Sequence, residues 1–200
     1  MMHIIKCMRY PADHKQQTRE RIVRAASRRF RSRGTEGAAI ADLMRDLRLT
    51  HGGFYRHFGS KEGLVVEAFE AALKEWGDRA VAAINKAPAG GEMHALIDAY
   101  LDPEHCEDIA GGCPVAALAS EIARRPKGSR GPFLQVLRAH IRRMDQYMPG
   151  HTVEERRQKT IALFTGMAGT LTVARAFTDE QDRRAILDGA RKFYLAAVRA

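Results

Sequence analysis

Apolar residues along the chain recur at spacings of three and four, the period of a helix with one buried face. Ile22, Ala26 and Phe30 fall on one such face, opposite a row of arginines. Thr18 is a good N-cap with Glu20 in the first turn, and Gly34 ends the segment. A short helix follows across Ile40, Leu43 and Leu47, then a turn at Arg48-Leu49. A second short helix is entered from Thr50 and runs through Phe54 and Phe58. Two short helices joined by a tight turn suggest a helix-turn-helix. Ser60 can cap a longer helix in which Val65, Phe69, Ala72 and Trp76 share a face, continuing to about Asn85. Breaks at Ala87-Pro88-Ala89-Gly90-Gly91 and Ala110-Gly111-Gly112 precede further helices over roughly 92–101, 114–125, 132–148, 152–177 and 180–198. Proline is absent between Pro11 and Pro88 and after Pro149, so both stretches are free to be helical. No alternating, β-branched run of useful length occurs, and no internal repeat. The expected fold is all-α, with a flexible basic arm over 1–16, a helix-turn-helix domain over 17–61 and a helical body over 62–200.

Charge divides along the same boundary. Of the net +9, residues 1–61 carry all: they hold 14 Lys and Arg against 5 Asp and Glu, while residues 62–200 hold 19 of each sign. A basic N-terminal unit on a neutral body is suited to a polyanion. The 200 residues, 28% of them charged, are enough for a real core, and no stretch approaches the ~20 apolar residues of a membrane span. The first residues hold too short an apolar run for a signal peptide, so a cytoplasmic location is expected. Three scattered cysteines, Cys7, Cys106 and Cys113, fit a reducing compartment.

The chemistry concentrates between Thr50 and Lys61. Phe54 and Phe58, four apart, face inward and leave Tyr55, Arg56 and His57 outward or flanking the core. Thr50 and His51 can donate to bases or phosphates, and Gly52 and Gly53 let the backbone approach a duplex closely. Lys61 starts a helix whose free N–H groups favour a phosphate. The segment Gly52 to Leu64, with Tyr55-Arg56-His57-Phe58 and Ser60-Lys61, resembles the recognition helix and following turn of TetR/AcrR-type transcriptional repressors. The likeness covers about residues 17–64, including Thr18-Arg19-Glu20-Arg21-Ile22-Val23 and Ile40-Ala41-Asp42-Leu43-Met44. It implies that Tyr55, His57 and Lys61 hold the DNA backbone and that His51, Gly52 and Arg56 lie closest to bases. It also implies a homodimer on a palindromic double-stranded operator, released by a small-molecule effector held in the body. Two departures stand out: Ala38-Ala39 replaces the usual Ser or Thr cap, and Thr35 replaces a common aromatic.

In the body, the helix over 152–177 interleaves Ile161, Leu163, Phe164, Met167, Leu171 and Val173 with Gly166, Ala168, Gly169 and Ala174, and the helix over 180–198 adds Ile186, Leu187, Ala190, Phe193, Tyr194 and Val198, which suits a four-helix dimer interface. Phe133, Leu137, His140, Met144 and Met148, with Tyr147 alongside, form a stripe that would line an effector pocket or the core. Pro114 suits a first helical position and puts Cys113 at the N-cap, where a thiolate is stabilised. A Gly-Cys here is similar to a subset of the family that senses electrophiles or oxidants, which offers an alternative: redox-controlled repression through Cys113. Nearby Glu104, Glu107 and Asp108 oppose a low thiol pKa.

No nucleophile with its base, paired carboxylates or phosphate loop occurs at convincing spacing, so an enzyme is not expected. His94, His105, Cys106 and Cys113 match no zinc spacing, and neither a metal nor another cofactor is expected. A basic amphipathic protein lying on anionic lipid is the rival from another class, but the Tyr-x-His-Phe string has no role there.

Overall fold

The computed structural model describes residues 12–198. Its helices are α1 (Ala12–Arg33), α2 (Ile40–Asp46), α3 (His51–Phe54), α4 (Lys61–Lys86), α5 (Glu92–Tyr100), α6 (Pro103–Glu107), α7 (Pro114–Arg124), α8 (Gly131–Met144), α9 (Val153–Ala174) and α10 (Glu180–Ala197). Single 3-10 turns cover 127–129 and 145–147, and no strand occurs among the described residues.

Two hydrophobic cores meet along α4. In the head, Ile22, Ala26 and Phe30 of α1 pack with Leu43 and Met44 of α2, with Phe54 and Phe58, and with Leu64, Val65 and Phe69 from the first half of α4. Trp76, Ala80 and Ile84 from its second half join the body core of α5, α9 and α10. The expected boundary at residue 61 therefore falls at the start of one continuous helix, without a linker. Leu118 of α7 and Phe133 of α8 reach back into the head core. Head and body share packing as well as chain.

Side-chain caps set five of the helix starts. Thr50, Ser60, Thr152 and Asp179 each accept from the backbone N–H three residues on, at 3.0–3.2 Å. Three boundaries differ from expectation. α1 begins at Ala12, so Thr18 is a buried interior residue and not a cap, and residues 12–16 of the supposed arm are helical; Lys6 and Arg9 lie outside the described residues. α3 stops at Phe54: the consecutive glycines Gly52 and Gly53 propagate a helix poorly. The chain then tightens, with Arg56 N–H on Gly53 O and His57 N–H on Phe54 O. The small helix α6 was not foreseen, although Asp102 caps it through Oδ1 on Glu104 N at 2.8 Å and Pro103 sits in its first turn.

No described helix is long and apolar enough to cross a membrane.

Candidate nucleic-acid interface and effector cavity

The turn between α2 and α3 is closed by Arg48 in the left-handed region, φ 59°, with Leu49 N–H on Met44 O at 2.8 Å. Phe54 and Phe58 stack at 5.4 Å and are buried, anchoring the segment. Of the eight residues picked out for DNA, Thr50, His51, Gly52, Tyr55 and Arg56 are exposed, Tyr55 at 64%. Gly52 has open space where a Cβ would stand. Gly53 does not: it faces Thr50 Oγ1 and the Met44 methyl, so its missing side chain serves the cap and the packing on α2. His57 is half-buried, its Nδ1 enclosed without a partner. Burial, then Lys15, Arg19 and Arg56, hold its pKa below the usual value. Lys61 is half-buried in the first turn of α4, beside the Ser60 cap.

The arginine row of α1 is less free than its pattern suggests. Arg19 lies over the Phe58 ring at 4.7 Å and pairs with Glu67 at 2.5 Å. Arg29 pairs with Asp46 of α2 at 2.8 Å. Arg31 turns inward, buried, and donates from Nη1 to the Gly112 carbonyl at 2.6 Å. Three of these arginines thus brace the head, while Arg21, Arg24, Arg28 and Arg33 are exposed.

The seam between head and body is polar at both ends of α7. At its start, the Gly111-Gly112 turn is gripped by Arg31 and by Arg79, which reaches the Gly111 carbonyl at 3.2 Å. A side chain at Gly112 would run into Arg175 and the Asp108 carbonyl. His105 Nε2 accepts from both Trp76 Nε1 (2.9 Å) and Cys113 N (3.1 Å), so its proton sits on Nδ1 and goes to Tyr100 O at 2.6 Å. Burial lowers its pKa and keeps that neutral form. At the other end of α7, buried Thr35 donates to Glu121 and accepts from Arg125 Nη2 at 2.8 Å, while Arg125 also pairs with Glu62 at the start of α4. Arg125 additionally covers the Phe133 ring at 5.1 Å.

Below this seam lies a partly enclosed cavity of about 30 Å³. Trp76, Tyr100, Phe164 and His140 form its aromatic walls, and Met93, Met144, Met148 and Met167 much of the rest. Of the expected stripe it contains His140, Met144 and Met148. Phe133 instead belongs to the head core, edge-on to Phe69 at 5.8 Å, and Leu137 packs against the same cluster. Tyr147 packs on the body core without lining the cavity. The α8 stripe is divided because its first half faces the head and its second half the body. Burial, with Arg143 assisting, pushes His140 down to about 4.

Cys113 does stand at the N-cap of α7 with Pro114 next, as its sequence indicates, but the expected thiolate does not follow. Cys113 and Cys106 are both buried, and burial raises both thiols. For Cys113 this outweighs the Tyr100 hydroxyl and the N–H groups of Val115 and Ala116, which favour the anion. No group of three potential metal ligands occurs among the described residues.

Outside the cavity lining, Ile161, Val173 and Phe177 of the α9 region and Phe193 of α10 are exposed, Phe193 at 68%. Gly169 and Gly189 have open space around them on these helices. The remaining apolar residues of the pattern, such as Leu163, Met167, Leu171 and Leu187, are buried within the chain.

Residues 22–68, spanning the second half of α1 through the first turns of α4, match the bacterial regulatory proteins, tetR family. This segment is a TetR-type N-terminal domain. A relative described as the uncharacterized HTH-type transcriptional regulator Rv0196 of Mycobacterium tuberculosis is 36% identical over 108 residues, 53% of this chain and 54% of the relative. The chain thus spans about half the length of that curated relative. A TetR-family transcriptional regulator from Cytophaga hutchinsonii has the same fold, with TM-score 0.69 and 20% identity over 92% of this chain and 96% of that one. So does FadR from Bacillus subtilis in complex with stearoyl-CoA, with TM-score 0.65 and 16% identity over 88% and 96%.

The two departures from the TetR pattern have different structural outcomes. Ala39 at the N-cap of α2 makes no side-chain cap, and the loss is not made good by another side chain there. Thr35, in place of an aromatic, is buried and tied to Glu121 and Arg125. Arg125 and Tyr100 carry no signal of these roles in the sequence, Trp76 is expected only as part of a helix face, and Phe164 and Met167 only as part of a dimer interface.

Proposed function

We propose that the chain is a homodimeric transcriptional repressor that reads a two-fold symmetric operator through α3 and leaves it when a small molecule occupies the cavity beneath Trp76. The observation that carries this reading is the presentation of His51, Gly52, Tyr55 and Arg56, exposed on a segment whose buried side is fixed by Phe54 and Phe58. A helix end of this kind enters the major groove, where base edges distinguish all four pairs. In this reading Thr50, Tyr55, His57 and Lys61 hold phosphates. His51, Gly52 and Arg56 approach bases, while Gly53 supports the helix from behind.

Two-fold operators call for paired heads, and the exposed Ile161, Val173, Phe177 and Phe193 supply a face on α9 and α10 for a second copy. The cavity is placed to control the heads. Its walls Trp76 and Tyr100 hold His105, which holds Cys113 N–H at the start of α7, and the adjoining Gly112 is held by Arg31 of α1. A ligand that shifts Trp76 or Tyr100 changes the relative stability of two head positions, and operator affinity follows the population.

The test is selection of bound duplexes from a random DNA pool at two salt concentrations, followed by sequencing. A two-fold motif enriched at both is expected. Binding without a motif that disappears steeply with salt would be phosphate contact alone and would overturn the reading.

A further inference from the structure

We propose that the cavity beneath Trp76 selects an uncharged, largely apolar molecule bearing an aromatic ring, and admits it by repacking four methionines. The inference rests on the cavity being the effector site and adds the chemical class of its occupant. Three features of the walls carry it.

The first is the absence of charge. No Asp, Glu, Lys or Arg lines the cavity, and its polar lining groups are Tyr100, His140 and Thr160. Thr160 spends its hydroxyl on the Arg156 carbonyl at 2.8 Å. His140, with a pKa of about 4, is neutral at neutral pH and offers one donor and one acceptor. An ion entering here would lose its water without gaining a counter-charge. The charged group acting on His140 is the Arg143 guanidinium, which disfavours an organic cation despite the aromatic walls.

The second is ring geometry. Trp76 and Tyr100 lie 4.9 Å apart, Tyr100 meets Phe164 edge-on at 6.5 Å, and His140 meets Phe164 at 5.4 Å. A further ring inserted among these finds both faces and edges.

The third is adaptability. The cavity is far below the ~300 Å³ of a usual small-molecule site. Met93, Met144, Met148 and Met167 form much of its wall. Unbranched thioethers change rotamer at little cost and leave an apolar surface in each arrangement.

The test uses two fluorophores that differ by one sulfonate, N-phenyl-1-naphthylamine and 1-anilinonaphthalene-8-sulfonate, with energy transfer from Trp76, the single tryptophan, as the readout. 1-Naphthylmethylammonium competing with the neutral probe tests a cation. The neutral probe is expected to bind at least about tenfold tighter than either ion. In protein labelled at the methionine methyls, its ring protons should show Overhauser contacts to the four cavity methionines and none to Met44 of the head. Binding of the anion or cation as tightly as the neutral probe overturns the proposal. So does neutral-probe contact with methyls elsewhere, or no binding up to its solubility. Duplex binding by the same sample, measured in parallel, separates the two readings. Operator binding without probe binding removes this inference and leaves the reading head, whereas probe selectivity without operator binding does the reverse.

Discussion

Arg31 and Gly112, 81 positions apart, are joined inside the protein: the guanidinium of one donates from Nη1 to the carbonyl of the other at 2.6 Å, and Arg31 is almost wholly buried. The same side chain bonds the Ser27 carbonyl through Nε at 3.2 Å and Glu75 through Nη2 at 3.5 Å. It therefore ties the end of α1 to α4 and to the turn before α7. Arg31→Met keeps the volume of the stem but leaves the Gly112 carbonyl without this donor. The expected cost is about 1–3 kcal/mol of folding stability, the usual penalty for a buried acceptor left unpaired. Urea unfolding checks it, and an unchanged midpoint would show that Arg31 is not a structural tie.

A second tie lies at the far end of α7, where Thr35, Glu121, Arg125 and Glu62 share hydrogen bonds and an ion pair. Because Thr35 and Glu121 touch directly, their substitutions should not add. A double-mutant cycle with Thr35→Val and Glu121→Ala is expected to give an interaction energy of about 1–2 kcal/mol. Strict additivity of the two single effects would mean that the network carries no energy between head and body.

Under the proposed reading, Gly52 separates folding from DNA contact. A Cβ there meets open space, and alanine is the better helix former by about 0.5–1 kcal/mol. Gly52→Ala should therefore melt at the same temperature as the parent or slightly higher, while binding the selected operator more weakly because the added methyl stands where the duplex comes close. Gly53→Ala, by contrast, pushes against Thr50 Oγ1 and should lose stability. Melting curves and operator titrations on both variants are the check. Unweakened operator binding by Gly52→Ala would remove Gly52 from the interface.

Arg56 and Lys61 are expected to fail differently on DNA. If Arg56 reads a base, Arg56→Ala relaxes preference at one operator position and costs about 1–3 kcal/mol on the parent site. If Lys61 holds a phosphate, Lys61→Ala should weaken all duplexes alike and lower the salt dependence by about one counterion. Titrations over a panel of single-base operator variants at several salt concentrations distinguish the two patterns.

Most of the architecture was legible because it rests on local signals. The caps Thr50 and Ser60, the breaks at Pro88 and Gly111-Gly112, and the buried Phe54 and Phe58 all act within a few residues of where they stand. What escaped is set by partners far along the chain. Thr18 has the composition of a cap, but helix formation continues back to Ala12 and the residue is buried. Phe133 and Met144 carry the same helical stripe, yet one half of α8 meets the head core and the other the cavity. Cys113 has the helix-end position that lowers a thiol pKa, and burial overrides it. Arg29 and Arg31 look like a cationic face in the pattern, and Asp46 and Gly112 claim them instead.

The buried histidines make stability sensitive to acid. The unfolded chain protonates a histidine near the ordinary 6.5, whereas His140 in the folded protein holds out to about 4, and His105 and His57 are shifted the same way. Between these values the unfolded state binds more protons, so stability falls as pH falls. The contribution of His140 is complete above about pH 6.5 and lost by about pH 4. At about 1.4 kcal/mol per pH unit the shift corresponds to at most about 3.5 kcal/mol, less for a ring that keeps some solvent contact. The His105 part has a structural signature as well: a proton on Nε2 removes the acceptor shared by Trp76 and Cys113, so Trp76 emission should change in the same acid range. Urea midpoints from pH 7.5 down to 4.5 are expected to fall for the parent and to fall less for His140→Gln, which cannot take up the proton. Parallel slopes for the two proteins would mean that His140 titrates normally and that the cavity wall is open to water.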